Sequence, residues 1–310
     1  MKRLYLIFLL VFPTFLAAGE YVPRTVRIVQ TVNRDWTFNY LPSGEEDLSV
    51  AGSAFDDRKW QAVAVPHTWM TYETTGDLHP YIMSASERED PYWWNGWGWY
   101  RKRIVFGREL EGKRIFVEFD GVQKYAKVFL NGALLGDHKG GYGGFCFDLT
   151  PHVRFGEENL LCVEVSNRRD DRFGTIAPAT AGNFNVYGGI YRDVRIVVKD
   201  PVHIPFQGSY LHEGGTFVTT PQVCEKEADV CVKTYVRNGM SVPREVTVRS
   251  VVTDSAGRVV LTLRSSRRVE PGRIAEFVQH GGPLVRPRLW SPQSPYLYTV
   301  WSEVYDGDRL

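Results

Sequence analysis

Between Ile115 and Tyr142 the chain alternates apolar and polar side chains twice and then turns. Ile115, Val117 and Phe119 lie one residue apart from Phe116, Glu118 and Asp120, the period-2 pattern of a strand with one buried face. A second run, Ala126, Val128 and Leu130, ends at Asn131-Gly132, the dipeptide that most readily takes positive φ at both central positions of a two-residue hairpin. A chain that carries this pattern folds as antiparallel β. Further alternating runs at Phe145, Phe147 and Leu149 and at Leu161, Val163 and Val165 extend the same sheet system.

The strings within and around this stretch resemble glycoside hydrolase family 2, the β-galactosidase and β-glucuronidase group. They are F-x-G-V at 119–122, A-x-V-x-L-N-G at 126–132 and H-x-G-G-Y at 138–142. N-R-D-W-T-F from Asn33, F-D-D-R-K-W-Q-A-V-A-V-P-H-T-W from Phe55, G-W-Y-R from Gly98 and G-G-I-Y-R-D-V-R-I from Gly188 follow the family in order. The resemblance implies an all-β fold, a jelly-roll-like sugar-binding β-sandwich over residues 20–200 followed by an immunoglobulin-like β-sandwich over 201–310. The alternation resets after Asp200-Pro201. Short strands at 230–236, 246–252 and 259–263, separated by R-N-G-M, D-S-A-G and E-P-G-R turns, read independently as an immunoglobulin-like sandwich. L-W-S-P-Q-S-P-Y-L-Y-T-V, 289–300, again resembles the family.

Residues 1–19 pair Lys2 and Arg3 with an apolar run to Leu16 and the small residues Ala17, Ala18 and Gly19. That is the form of a cleaved signal peptide, too short to span a bilayer as an anchor, so the expected location is periplasmic or extracellular. The 37 basic and 36 acidic residues are scattered and nearly cancel, which argues against a nucleic-acid partner. No later segment is apolar enough to cross a membrane. Four cysteines in an exported chain permit disulfides. Cys224 and Cys231, on either side of E-K-E-A-D, are the pair whose position across a turn favours a bridge. Neither C-x-x-C nor paired histidines occur, so no structural zinc site and no cofactor are expected.

Tyr92, Trp93, Trp94, Trp97, Trp99 and Tyr100 surround Asn95, Gly96 and Gly98. Aromatic rings beside an amide suit the C–H faces and hydroxyls of a sugar, and two of the six rings are expected to reach a ligand, with Trp94 and Trp97 the candidates. The resemblance implies that Asn95 lines the substrate pocket and that Asn183 stands where many relatives carry an Asp. Trp36, Phe38 and Trp60 read as core, His67 as structural, Arg192 and Asp193 as an ion pair, Gly107–Arg114 as a hairpin turn, and Glu118 and Asp120 as a solvated face.

The family places its two catalytic glutamates in a (β/α)8 barrel, one directly after an Asn. No Asn-Glu occurs here, and nothing nominates the paired carboxylates of a retaining glycosidase. No catalytic residue is therefore expected within the chain. The expectation is the N-terminal portion of an exported retaining β-glycosidase, with a terminal β-linked sugar and a catalytic barrel domain or subunit as its partners. The alternative is a free-standing, non-catalytic carbohydrate-binding protein.

Overall fold

A computed structural model describes residues 20–41, 47–69, 97–167, 188–207 and 214–310. Residues 1–19, and with them the expected signal peptide, lie outside the described residues. Strands β1 (Ile28–Thr31), β2 (Trp36–Leu41), β3 (Gln61–Val63), β4 (Trp97–Val105), β5 (Arg114–Phe119), β6 (Tyr125–Leu130), β7 (Ala133–Lys139), β8 (Phe145–Asp148), β9 (Glu158–Ser166) and β10 (Val194–Lys199) come first. They form two antiparallel sheets, a four-stranded one in the order β1-β10-β5-β8 and a six-stranded one in the order β3-β2-β4-β9-β6-β7.

As the alternation predicts, Ile115, Val117 and Phe119 of β5 face Val128 and Leu130 of β6 and Leu161, Val163 and Val165 of β9 across one buried core. Burying a side chain of that size contributes roughly 1.5–3 kcal/mol. The β6–β7 hairpin closes at Asn131 (φ 54°) and Gly132 (φ 84°) with Leu130 opposite Ala133. The stretch at 107–113 is not a hairpin turn. A short 3₁₀ turn at Arg108–Leu110 carries the chain from β4 in one sheet to β5 in the other.

The outer face of the six-stranded sheet is also covered. Residues 47–60 lay Val50, Ala51, Phe55 and Trp60 over Trp99, Phe129, Leu160 and Cys162. A buried charge fastens this cover: Arg101, 0% exposed, donates to the Phe55 and Gly52 carbonyls at 3.0 Å each. Asp57 lies 3.4 Å from its Nε and accepts two hydrogen bonds from Arg103 at 3.0 and 2.9 Å.

Strands β11 (Val202–His203), β12 (Thr216–Thr219), β13 (Glu227–Asn238), β14 (Arg244–Thr253), β15 (Val259–Val269), β16 (Ile274–Val285) and β17 (Thr299–Asp306) make a second sandwich. One sheet runs β15-β14-β17; in the other, β13 pairs with β11, β12 and β16. Val236, Val246, Val248, Val269 and Phe277 fill the space between them. All four cysteines are free, which corrects the expected Cys224–Cys231 bridge. The ladder sets Thr219 opposite Cys231, while the Cys224 amide bonds Glu227 O. Four residues of strand, about 13 Å, then separate the two cysteines, beyond the ~7 Å Cα reach of a disulfide.

The sandwiches meet along the linker. Lys113 Nζ is 2.6 Å from Asp200 Oδ1, Arg114 donates to Gly239 O at 3.0 Å, and Lys199 donates to Ile204 O at 3.2 Å. The N-terminal segment adds a second tie, with the Tyr21 hydroxyl on Glu303 at 2.6 Å and the Tyr21 amide on Gly257 O at 2.8 Å.

Candidate functional site

Both aromatic- and asparagine-bearing segments singled out in the sequence, 70–96 and 168–187, leave and rejoin the described chain at one rim of the first sandwich. Trp69 N donates to Gly188 O at 3.4 Å, and His67 N to Ile190 O at 2.7 Å. Trp97 stands opposite Ser166 in the β4–β9 ladder, and Tyr125 stands opposite the same Ser166 from β6. Lys124 N donates to Ser166 O at 3.0 Å, while Gln123 and Gly189 exchange backbone hydrogen bonds at 2.9 and 3.2 Å. The four points of departure and return, Trp69, Trp97, Asn167 and Gly188, are thus stitched into one hydrogen-bonded edge.

Polar side chains are enclosed there to a degree that strand interiors rarely show. Gln123, Lys124, Glu164, Ser166 and Asn167 are all at most 3% exposed. Lys127 Nζ lies 3.7 Å from the Glu164 carboxylate, so the charge buried on β9 is paired. Enclosed to that degree, these amide, hydroxyl, ammonium and carboxylate groups form a polar floor beneath the rim. Buried groups of this kind require partners, and this set was not anticipated from sequence. Its signal was present in V-Q-K between strands and in E-V-S-N closing an otherwise apolar one.

Trp69 forms the base of the rim. Its ring stacks on Phe38 at 5.9 Å and lies flush against the backbones of Gly98 and Gly188, where any Cβ would overlap it. At Gly189, φ is +130°, and a Cβ would come within 2.5 Å of His67 O and 2.7 Å of the Tyr100 hydroxyl, so only glycine fits. His67 joins Nδ1 to the Tyr100 hydroxyl at 2.7 Å and packs 4.6 Å from the Phe38 ring. Burial pushes its pKa down to about 4, so the imidazole is neutral at ordinary pH. Its Nε2 is enclosed without a hydrogen-bond partner. These contacts fit the structural role expected of it.

Trp94, Asn95 and Asn183 lie outside the described residues. Trp97 begins β4 with its ring 1% exposed and edge-on to Tyr125 at 6.5 Å, so direct ligand contact there would require that packing to open. Trp36 and Phe38 are core, and Trp60 packs under the cover at 47–60. The ion pair expected between Arg192 and Asp193 is not formed: Arg192 lies over the Tyr191 ring, and Asp193 accepts from Asn33 at 2.8 Å and faces Arg195 at 3.8 Å. Glu118 and Asp120 do not form a free solvated face either. Asp120 is clasped by both terminal nitrogens of Arg195, and Glu118, half-buried beside Lys199 at 3.8 Å, has its pKa raised by that burial.

The family model for the sugar-binding domain of glycosyl hydrolases family 2 matches residues 29–201, and the glycosyl hydrolases family 2 model matches 212–310. The chain belongs to glycosyl hydrolase family 2. It is 31% identical over 297 residues to a β-glucuronidase of Formosa agariphila, covering 94% of this chain and 29% of that protein. To β-galactosidase BoGH2A of Bacteroides ovatus it is 34% identical over 279 residues, 89% of this chain and 30% of that one. The crystal structure of a Bacteroides uniformis β-glucuronidase superposes with a TM-score of 0.77 at 31% identity, over 91% of this chain and 31% of that chain. The family-2 chain therefore spans less than a third of the length of these relatives, and its two all-β sandwiches match their N-terminal portion.

Proposed function

We propose that this chain forms the substrate-facing, non-catalytic N-terminal part of an exported retaining β-glycosidase of the β-galactosidase and β-glucuronidase type. The acid/base and nucleophile carboxylates belong to a (β/α)8 barrel outside these residues. Trp94, Asn95 and Asn183 wall the pocket for the terminal β-linked sugar, while Trp97, enclosed against Tyr125 at the start of β4, anchors the returning segment to the sandwich. The observation that carries the reading is the rim itself. The two segments bearing these residues depart from one edge, and that edge concentrates enclosed hydroxyl, amide and charged groups.

The relatives named above support the carbohydrate assignment. Among the described residues, Asp57, Glu118, Asp120 and Glu164 are each engaged by a cation rather than paired with one another as glycosidase chemistry needs, which fits a catalytic pair supplied from elsewhere. The test is hydrolysis of chromogenic β-galactoside and β-glucuronide by the purified chain, alone and joined to whatever the reading frame encodes after Leu310. The expected result is no turnover by the chain alone and turnover once a barrel is joined. Turnover by residues 20–310 alone refutes the reading. Saturable sugar binding by a chain whose gene encodes no barrel replaces it with the free-standing carbohydrate-binding protein.

A further inference from the structure

We propose that Cys231 and His280 form a two-donor site for a soft, low-coordinate metal ion of the copper(I) class on the outward face of the second sandwich. The β13–β16 register sets Cys231 directly opposite His280, and directly opposed residues project to the same face with Cβ atoms about 4.5–5.5 Å apart. That face is the outer one, because the alternating neighbours Val230, Val232 and Gln279 are buried at 6, 0 and 5% exposure and point into the core.

Both residues line an open depression of about 490 Å³, together with Pro221, Asp229, Val230, Gly281 and Gly282. Gly282 keeps its outer wall free of a side chain, whereas the missing side chain of Gly281 faces Leu261 and Leu263 in the core. At Gly282, where φ is +149°, a Cβ would come within 2.8 Å of Asp229 Oδ1. The Cys231 thiol is free, and neither it nor the imidazole has an assigned hydrogen bond or ion pair.

A thiolate with an imidazole selects soft and borderline cations over calcium or magnesium. Zinc closes its structural sites with four ligands, and among the described residues no group of three His, Cys, Asp or Glu could hold a metal ion together. Two donors suffice for a nearly linear ion. First-row metal–sulfur and metal–imidazole bonds sum to about 4.3 Å, a separation that side chains on opposed strands reach without moving the backbone. Binding transfers no electron: the Cys231 thiol gives its proton to solvent, the sulfur and an imidazole nitrogen each donate a pair, and copper enters and stays as Cu(I).

The experiment titrates the chain with Cu(I) anaerobically against bicinchoninate, beside Cys231→Ser, His280→Gln and Cys224→Ser. The expected result is one equivalent bound, with a thiolate-to-metal absorption band in the near ultraviolet. Affinity should fall at least about 100-fold in Cys231→Ser, more than removal of an outer-shell partner costs, and at least tenfold in His280→Gln. Cys224→Ser should bind as the parent does. Because Cys231 and His280 point away from the core, their thermal midpoints should match the parent and exclude misfolding. Cu(I) binding that survives Cys231→Ser, binding abolished by Cys224→Ser, or Zn(II) bound more tightly than Cu(I) overturns the assignment.

Discussion

Replacing Asp57 by Ala should loosen the cover at 47–60 without disturbing the core between the sheets. Asp57 is 6% exposed and is the carboxylate facing the fully enclosed Arg101 guanidinium at 3.4 Å. Removing one partner of a buried ion pair costs about 3–5 kcal/mol, because the other charge stays buried and uncompensated. Two features favour the low end: Arg103 is 42% exposed and can turn to water, and Arg101 keeps its two carbonyl acceptors. The expected loss is about 3 kcal/mol in urea unfolding, and about half that for Asp57→Asn, which retains one acceptor. A second readout is local. Cys162 sits under the cover at 0% exposure, its thiol pushed up to about 12 by burial. If the cover opens separately from the core, its labelling by a thiol reagent should accelerate about 100-fold, the factor that 3 kcal/mol corresponds to. Cys224→Ser/Cys231→Ser is the background for that measurement. Burial alone would raise the Asp57 pKa, but hydrogen bonds from Arg103 and the charges of Arg101 and Arg103 outweigh it and hold it low. Its contribution is present above the unfolded carboxylate value near 3.9 and is lost as pH falls through the lower folded value, so Asp57→Ala should flatten the acid limb. An unfolding free energy within about 0.5 kcal/mol of the parent, with unchanged Cys162 labelling, would refute this account of the cover.

Gly188→Ala should cost about 1–3 kcal/mol in chemical denaturation, since its methyl group overlaps the Trp69 ring; a neutral result would show that the ring can move. Trp97→Ala should cost about 3–5 kcal/mol, a loss in stability that calorimetry separates from any change in sugar affinity. Stability should fall as pH drops from about 6.5 towards 4, because burial holds both His67 and His203 at about 4: the unfolded chain takes up protons that the folded one refuses. His67→Phe should shallow that slope, and an unaltered slope would show that His67 does not carry it. Tyr21→Phe removes the hydrogen bond to Glu303 and should cost about 1 kcal/mol, read as a lower urea midpoint.

Period-2 alternation made β5, β6, β8 and β9 legible because one face of each meets the facing sheet, and Asn131-Gly132 marked its hairpin because both residues take positive φ. Alternation reports one buried face and says nothing of what covers the other. Cys162 and Glu164 fall on the apparent outer positions of β9, yet both are 0% exposed. Cys162 is covered by a segment more than a hundred residues earlier in the chain, and Glu164 lies at the rim where 168–187 departs. The same limit explains the connections. The G-R-E-L-E-G-K-R string has the composition of any tight turn, and only the pairing of β4 with β9 and of β5 with β10 shows that it crosses between sheets. Residue types at 92–100 announced a ligand-facing segment. The groups that give its base a polar character, Gln123, Lys124, Ser166 and Asn167, come from two other strand ends. Only the register of β4, β6 and β9 about Ser166 brings them together. The candidate site is a product of topology, and that is why its aromatic half could be read along the chain while its polar half could not.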